Sequence, residues 1–271
     1  MERSSKGTIR LTLSLLTAVL VMAASSAGIF VPYTYSRETL NWATQGAGQD
    51  IANLFFAGPA LIIAAVLAYR GSRGAYYIWG GTLLYLVYTY AIYCFALHFN
   101  DLFLIYCSIF GLSFYLLAYF MLAESGKTDT SMFNLSKVPA RPVGIYLIVI
   151  AVMFCALWLK DIVSAMLSGS VPPAIADTGL LSNPVHVMDL AVLLPGFVMT
   201  AMLLFRKSYI GLALAPVMLM FCALMNIAIG AAVILLGKKG FPSDASLAAI
   251  FGILTLISAG MLAWFLRSLK K

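Results

Sequence analysis

Charge is what this sequence most conspicuously lacks. Its 271 residues carry 17 Lys and Arg and 10 Asp and Glu, so charged residues make up only 10% of the chain. A soluble domain carries about 25%, and so few charges cannot clothe a water-exposed surface of this size. Soluble enzyme, nucleic-acid-binding domain and disordered chain are excluded together. Cysteine and histidine are equally scarce. Cys94, Cys107, Cys155 and Cys222 each sit inside an apolar run, and the two histidines are His98 and His186. Without C-x-x-C or a Cys/His pair at ligand spacing there is no metal motif and no disulfide framework. Walker A, H-E-x-x-H and G-x-S-x-G are absent, as are a mid-span lysine for a Schiff base and twin intramembrane aspartates. No cofactor or metal is expected.

What the chain has is apolar length. Hydrophobic residues make up 62%, and mean hydropathy is +0.97. A spanning helix needs about 20 apolar residues to cross about 30 Å of hydrocarbon. Eight stretches qualify, at 9–31, 51–69, 75–97, 102–122, 143–163, 189–205, 210–236 and 246–266. The expected fold is all-α: a polytopic transmembrane bundle of eight spans in a single domain, with the lipid bilayer as its main partner. The first stretch also resembles a secretory signal with a cleavage site after Ala27. The run from Leu11 to Val31 is long enough to span, so a retained helix is expected; cleavage would leave seven spans.

The net charge of +7 is a matter of topology. With the N-terminus inside, thirteen bases lie on the cytoplasmic side: Arg3, Lys6, Arg10, Arg70, Arg73, Lys127, Lys137, Arg141, Arg206, Lys207, Arg267, Lys270 and Lys271. Only Arg37, Lys160, Lys238 and Lys239 fall outside. That asymmetry predicts both termini in the cytoplasm.

An internal repeat is a second expectation. Residues 53–70 and 189–206 align without a gap at Leu54/Leu190, Pro59/Pro195, Ala65/Ala201, Leu67/Leu203 and Arg70/Arg206. This suggests a 4+4 parallel repeat with halves 9–122 and 143–266 joined by a linker, 123–142; chance likeness between apolar helices is the competing reading. Pro59, Pro195 and Pro216 are expected to kink their helices.

Candidate chemistry sits near the span ends, with no charge expected at mid-membrane. Asp50, Asp101, Asp189 and Asp244 stand at the starts of the four spans that begin outside, where a carboxylate caps a helix. Asp161 stands near the C-terminal end of its span, where the dipole disfavours it, beside Lys160. His186 and Asp189 are three residues apart and share a face if the helix has begun, while Asn183-Pro184 reads equally as a turn and cap. Tyr76 and Tyr77 fit an aromatic belt. Tyr85 and Tyr88 share a deeper face and need partners; Asn226 is the expected one. The candidate binding set is His98, Asp101, Lys160, Asp161, Asn183, His186, Asp189, Tyr85, Tyr88 and Asn226.

At W-L-K-D-I-V (158–163), N-P-V-H-V-M-D-L-A (183–191), L-P (194–195) and L-A-P (214–216) the chain resembles a family of uncharacterised prokaryotic multi-span membrane proteins. L-L-Y-L-V-Y-T-Y-A-I-Y (83–93) and H-F-N (98–100) extend the likeness from about residue 50, with Thr89 where the family pattern has Asn. The resemblance implies a prokaryotic cell membrane and favours Asp161, Asn183, His186 and Asp189 as sites. It implies no activity. Three functions compete: a small-solute or ion transporter or permease, favoured by the repeat and the polar seam; an outer-face enzyme or redox accessory protein; and a sensor or assembly partner.

The orientation is testable with a membrane-impermeant thiol reagent on intact cells. Cysteines replacing Ser72 and Ser131 stay unlabelled, and one replacing Thr178 reacts. Labelling at residue 72 reverses the topology.

Overall fold

The computed structural model describes residues 5–242 and 245–270. Asp244, read above as a cap, lies outside them, as do Glu2, Arg3 and Lys271. The described residues fold as nine helices: α1 (Ser5–Phe30), α2 (Leu40–Tyr69), α3 (Arg73–Ala96), α4 (Phe103–Glu124), α5 (Ala140–Ser168), the short α6 (Pro173–Thr178), α7 (Pro184–Phe205), α8 (Tyr209–Lys238) and α9 (Ala245–Leu266). All but α6 are long and apolar enough to cross a membrane. The described residues contain no strand; Phe133 and Leu269 form one isolated bridge.

The bundle has a largely apolar core in which its buried polar groups are gathered, and its outer surface is apolar. The central helix α3 is the least apolar of the eight, with mean hydropathy 1.3, yet 72% of its spanning window is buried. Its tyrosines face other helices, and Leu, Ile, Val and Phe of α1, α5 and α9 face outward. This is the inversion that lipid permits, since polar groups must find partners inside the bundle. α3 crosses α8 closely at Gly81, where a Cβ would lie 2.6 Å from the Val217 carbonyl oxygen. Small residues at crossings let backbones approach.

Two helices are broken in the same way. α2 carries a π turn at Asn53–Ala57 and α7 one at Asp189–Leu193. Pro59 and Pro195 follow them; a ring that cannot donate frees a carbonyl, and the wider turn absorbs the misfit. Both helices then end alike. Gly71 (φ 97°) and Lys207 (φ 51°) adopt left-handed backbone. Ser72 and Ser208 cap the next helix, their hydroxyls accepting from the amides of Ala75 and Gly211. Every such feature recurs 136 residues later, the offset from Asn53 to Asp189. Pro216, by contrast, lies inside the continuous helix α8.

The segment expected to be a linker is packed. Phe133 is buried at one end of the bundle among Tyr77, Tyr209 and Phe265, and Asn134 N donates to Ser268 O at 2.7 Å. Tyr77 therefore belongs to the core and not to an interfacial belt. This linker end also carries the turns at 70–72 and 206–208; the opposite, loop end carries 31–39, 97–102 and 169–183. Helix α1 runs unbroken through Ala27 and is tied in by Trp79, whose Nε1 donates to Ser14 Oγ at 2.9 Å. Thr178 is buried, so the exposed Ser170 of the same loop replaces it as the labelling position.

Glu124, 1% exposed, closes the linker end. It accepts from Lys127 Nζ at 2.5 Å and from Tyr209 OH at 2.6 Å. Burial lowers the Lys127 ammonium, but the hydrogen bond and charge of Glu124 outweigh it and hold the group above the ordinary lysine value. Glu124→Ala should cost roughly 1.5–3 kcal/mol for each charged hydrogen bond lost. Lys127→Gln should cost under about 1 kcal/mol, because the ammonium is half exposed. A raised pKa confines this contribution to lower pH, so the Lys127→Gln deficit holds up to the ordinary lysine range of about 10 and disappears above it. Thermal unfolding in detergent across pH measures both.

Candidate functional site

The site begins at the start of α7. Asn183 is extended, and its Oδ1 accepts from the amides of Val185 and His186 at 3.0 and 3.2 Å. Pro184 occupies the first turn, where its missing amide costs nothing. This cap starts the helix five residues before Asp189. Asp189 is therefore no cap itself: it is 6% exposed, inside the bundle, at the first position of the π turn. Its Oδ1 accepts from Tyr88 OH of α3 at 2.9 Å and its Oδ2 from Trp158 Nε1 of α5 at 2.8 Å. Both partners are neutral, so any charge on the carboxylate is uncompensated among the described residues.

Asp189 faces a cavity of about 510 Å³ between α2, α3, α5, α7, α8 and α9. The cavity runs from Asp177 and Asn183 at the loop end to Cys222 and Asn226 of α8. Trp158, Phe154, Phe197, Phe221 and Tyr88 give it aromatic walls, and Gln49, Thr89, His186 and Asn226 supply polar edges. His186 is buried and lies on Trp158, ring centroids 4.4 Å apart. Its Nε2 has no hydrogen-bond partner, so the His186–Asp189 bond that a shared helix face would allow does not form: Tyr88 and Trp158 already occupy the carboxylate.

The expected Tyr88–Asn226 bond does not form either. Asn226 Nδ2 instead lies 3.5 Å from Ser258 Oγ, which also bonds Tyr146 at 2.6 Å. Tyr85 turns away from the cavity. Its hydroxyl accepts from Gln49 Nε2 at 2.6 Å and donates to Asn53 Oδ1 at 2.9 Å. His98, on the loop end, holds Glu38 at 2.9 Å and lines a separate apolar hollow with Pro184 and Val187. Asp101 is exposed and is no cap: α4 starts after Leu102 with no side-chain cap, and Asn100 Oδ1 accepts from Leu102 N at 3.0 Å in the turn before it. Lys160 is exposed and Asp161 half-buried, and neither lines the cavity. Of the ten candidates, Asn183, His186, Asp189, Tyr88 and Asn226 converge; the other five do not.

The reading of Asp50 as a cap is also corrected. α2 starts at Leu40 under a cap from Thr39, whose hydroxyl accepts from Trp42 N at 3.2 Å. Asp50 lies ten residues on, about 15 Å along the axis, and has no exposed surface. Tyr35 OH donates to its Oδ2 at 2.5 Å and Tyr93 OH to its Oδ1 at 3.0 Å. Burial, reinforced by Asp50, holds the Tyr35 phenol well above its ordinary value, so it remains a donor. Asp50 and Asp189, both read as caps at helix starts, are thus enclosed by the bundle instead. Gln49, Trp158, Tyr35 and Tyr93 were not anticipated. The available signal was T-L-N-W-A-T-Q-G-A-G-Q-D (39–50), a capped and helix-compatible run too polar to count as a span. Among the described residues no group of three or more His, Cys, Asp or Glu could hold a metal.

No family model, no curated protein and no solved structure matches the chain.

The partner assignment is testable by double-mutant cycles on thermal stability. Tyr88→Phe with Asp189→Asn should couple by roughly 0.5–3 kcal/mol, as directly bonded groups do. Tyr88→Phe with Asn226→Leu should be additive within about 0.5 kcal/mol.

Proposed function

We propose that this multi-pass membrane protein is a permease for a small organic solute bearing a cation or an amine. The observation that carries the reading is the cavity. Its volume suits a small molecule, its walls are aromatic, and its buried carboxylate, Asp189, is met only by neutral donors, while Asp177 is exposed at the loop end. Aromatic faces and an unpaired carboxylate together attract organic cations. The π turns at Asn53 and Asp189 give α2 and α7 local breaks of the kind that line transporter sites, and the features shared at an offset of 136 residues support a duplicated four-helix unit. The excess of Lys and Arg at the linker end supports an orientation with the cavity opening outward. The resemblance to prokaryotic multi-span proteins supports a cell membrane as its location. An enzyme reading has less support, since His186 Nε2 has no partner and no nucleophile–base pair lines the cavity.

Benzyltrimethylammonium is a suitable probe. At about 100 times its Kd it should stabilise the purified protein by about 2.7 kcal/mol, and benzoate should not. Asp189→Asn should remove the effect. Proteoliposomes should take up the labelled cation in a saturable, Asp189-dependent way. Equal stabilisation by both probes, or uptake unaffected by Asp189→Asn, overturns the reading.

A further inference from the structure

We propose that Asp50 is a proton-binding site, separate from the solute cavity and exchanging protons with it through Tyr93. The carboxyl has no exposed surface, and among the described residues no Lys, Arg or His pairs with it. The ionisable groups facing it are all phenols: Tyr35 from the 31–39 loop, Tyr85, Tyr90 and Tyr93 from α3, and Tyr106 from α4. From α1 it meets Ser25 and the backbone at Gly28, where a Cβ would collide with Oδ2. On α2 itself it meets Asn53.

A carboxylate sealed among neutral groups is costly, and intramembrane acids are functional candidates for that reason. A proton relieves the cost and needs no room. The cluster is equipped for both forms. Tyr35 and Tyr93 donate to the carboxylate. Ser25 Oγ, Tyr90 OH and Tyr106 OH are buried in the same cluster, none of them in a hydrogen bond of regular geometry, so their oxygens can accept the O–H of the acid.

Tyr93 connects the two compartments. It lines the solute cavity beside Gly46 and Gln49, and its hydroxyl lies 3.0 Å from Asp50 Oδ1 and 3.2 Å from Gly46 O. In the exchange step Tyr93 passes its phenolic proton to Asp50 Oδ1 and takes one from water in the cavity. Two transfers carry a net single proton onto Asp50, the phenol is regenerated, and a hydroxide is left to the cavity water. Tyr93 is here a relay and Asp50 the acceptor.

The test uses the full chain in lipid nanodiscs with protons as the only probe, and so does not depend on the solute. Infrared difference spectra between alkaline and acidic pH report the carbonyl band of a protonated carboxyl. Wild type should gain a band from a dehydrated carboxyl as pH falls. Asp50→Asn should lack it, Asp189→Asn should keep it, and Asp50→Glu should shift its midpoint. Tyr93→Phe should slow its exchange in deuterated water about tenfold, of the order one lost hydrogen bond allows, without abolishing the band. If Asp50→Asn fails to fold, the Asp50→Glu shift and the Tyr93→Phe exchange rate decide alone. A band that survives Asp50→Asn, fails to titrate, or exchanges equally fast in Tyr93→Phe overturns the proposal. Cation binding at Asp189 can fail while the band behaves as expected, and the reverse, so the two readings are separable.

Discussion

Inside a bilayer a polar side chain has no water to fall back on, and helix α3 is where this bundle meets that constraint. Tyr85 donates to Asn53 and Tyr93 to Asp50, both on α2, while Tyr88 donates to Asp189 on α7. These three phenols tie the central helix to both broken helices. Lipid tails are as apolar as leucine, so apolar burial alone does not select which helices meet. The hydrogen bonds supply part of that selection, and close crossings such as Gly81 against Val217 supply part of the rest.

The two carboxylates that these phenols satisfy stand in different surroundings. Asp189 opens onto an aromatic cavity, and Asp50 is sealed. Both lie on helices carrying a π turn ahead of a proline, and the π turns begin at Asn53 and Asp189. A π turn displaces the residues on either side of it relative to a regular helix. The polar residues at positions 50 and 53 correspond, at the offset of 136, to His186 and Asp189. Each broken helix therefore places an Asx residue at its π turn and a titratable group one turn before it. α2 encloses its pair among tyrosines, and α7 sets its pair beside a ligand-sized space.

The linker end is built on other forces. Phe133 fills an aromatic pocket beneath the helix ends, and the Glu124–Lys127–Tyr209 group fastens α4 to α8. Aromatic packing and a charge-assisted hydrogen bond work there because the linker folds back onto the bundle. The cavity lining reaches the opposite, loop end at Asp177 and Asn183, beside the long segments 31–39 and 169–183.

Composition and periodicity were enough for the helical class and the eight spans, because hydrocarbon thickness sets a length that apolar runs must meet. The prolines and the matched segments 53–70 and 189–206 also pointed to the two helices that are broken alike. Asn183 was legible as a cap from N-P. The partners were not legible. Apolar runs locate the membrane-crossing part of a helix and say nothing of a polar extension such as residues 40–50, so Asp50 read as a cap when it is enclosed. Spacing along one helix placed His186 near Asp189, yet donors from two other helices, Tyr88 and Trp158, hold that carboxylate. Tyr88 and Asn226 share a need for partners, but need carries no direction. Which of several buried donors meets which acceptor depends on helix rotation and tilt, and only the packed bundle determines those.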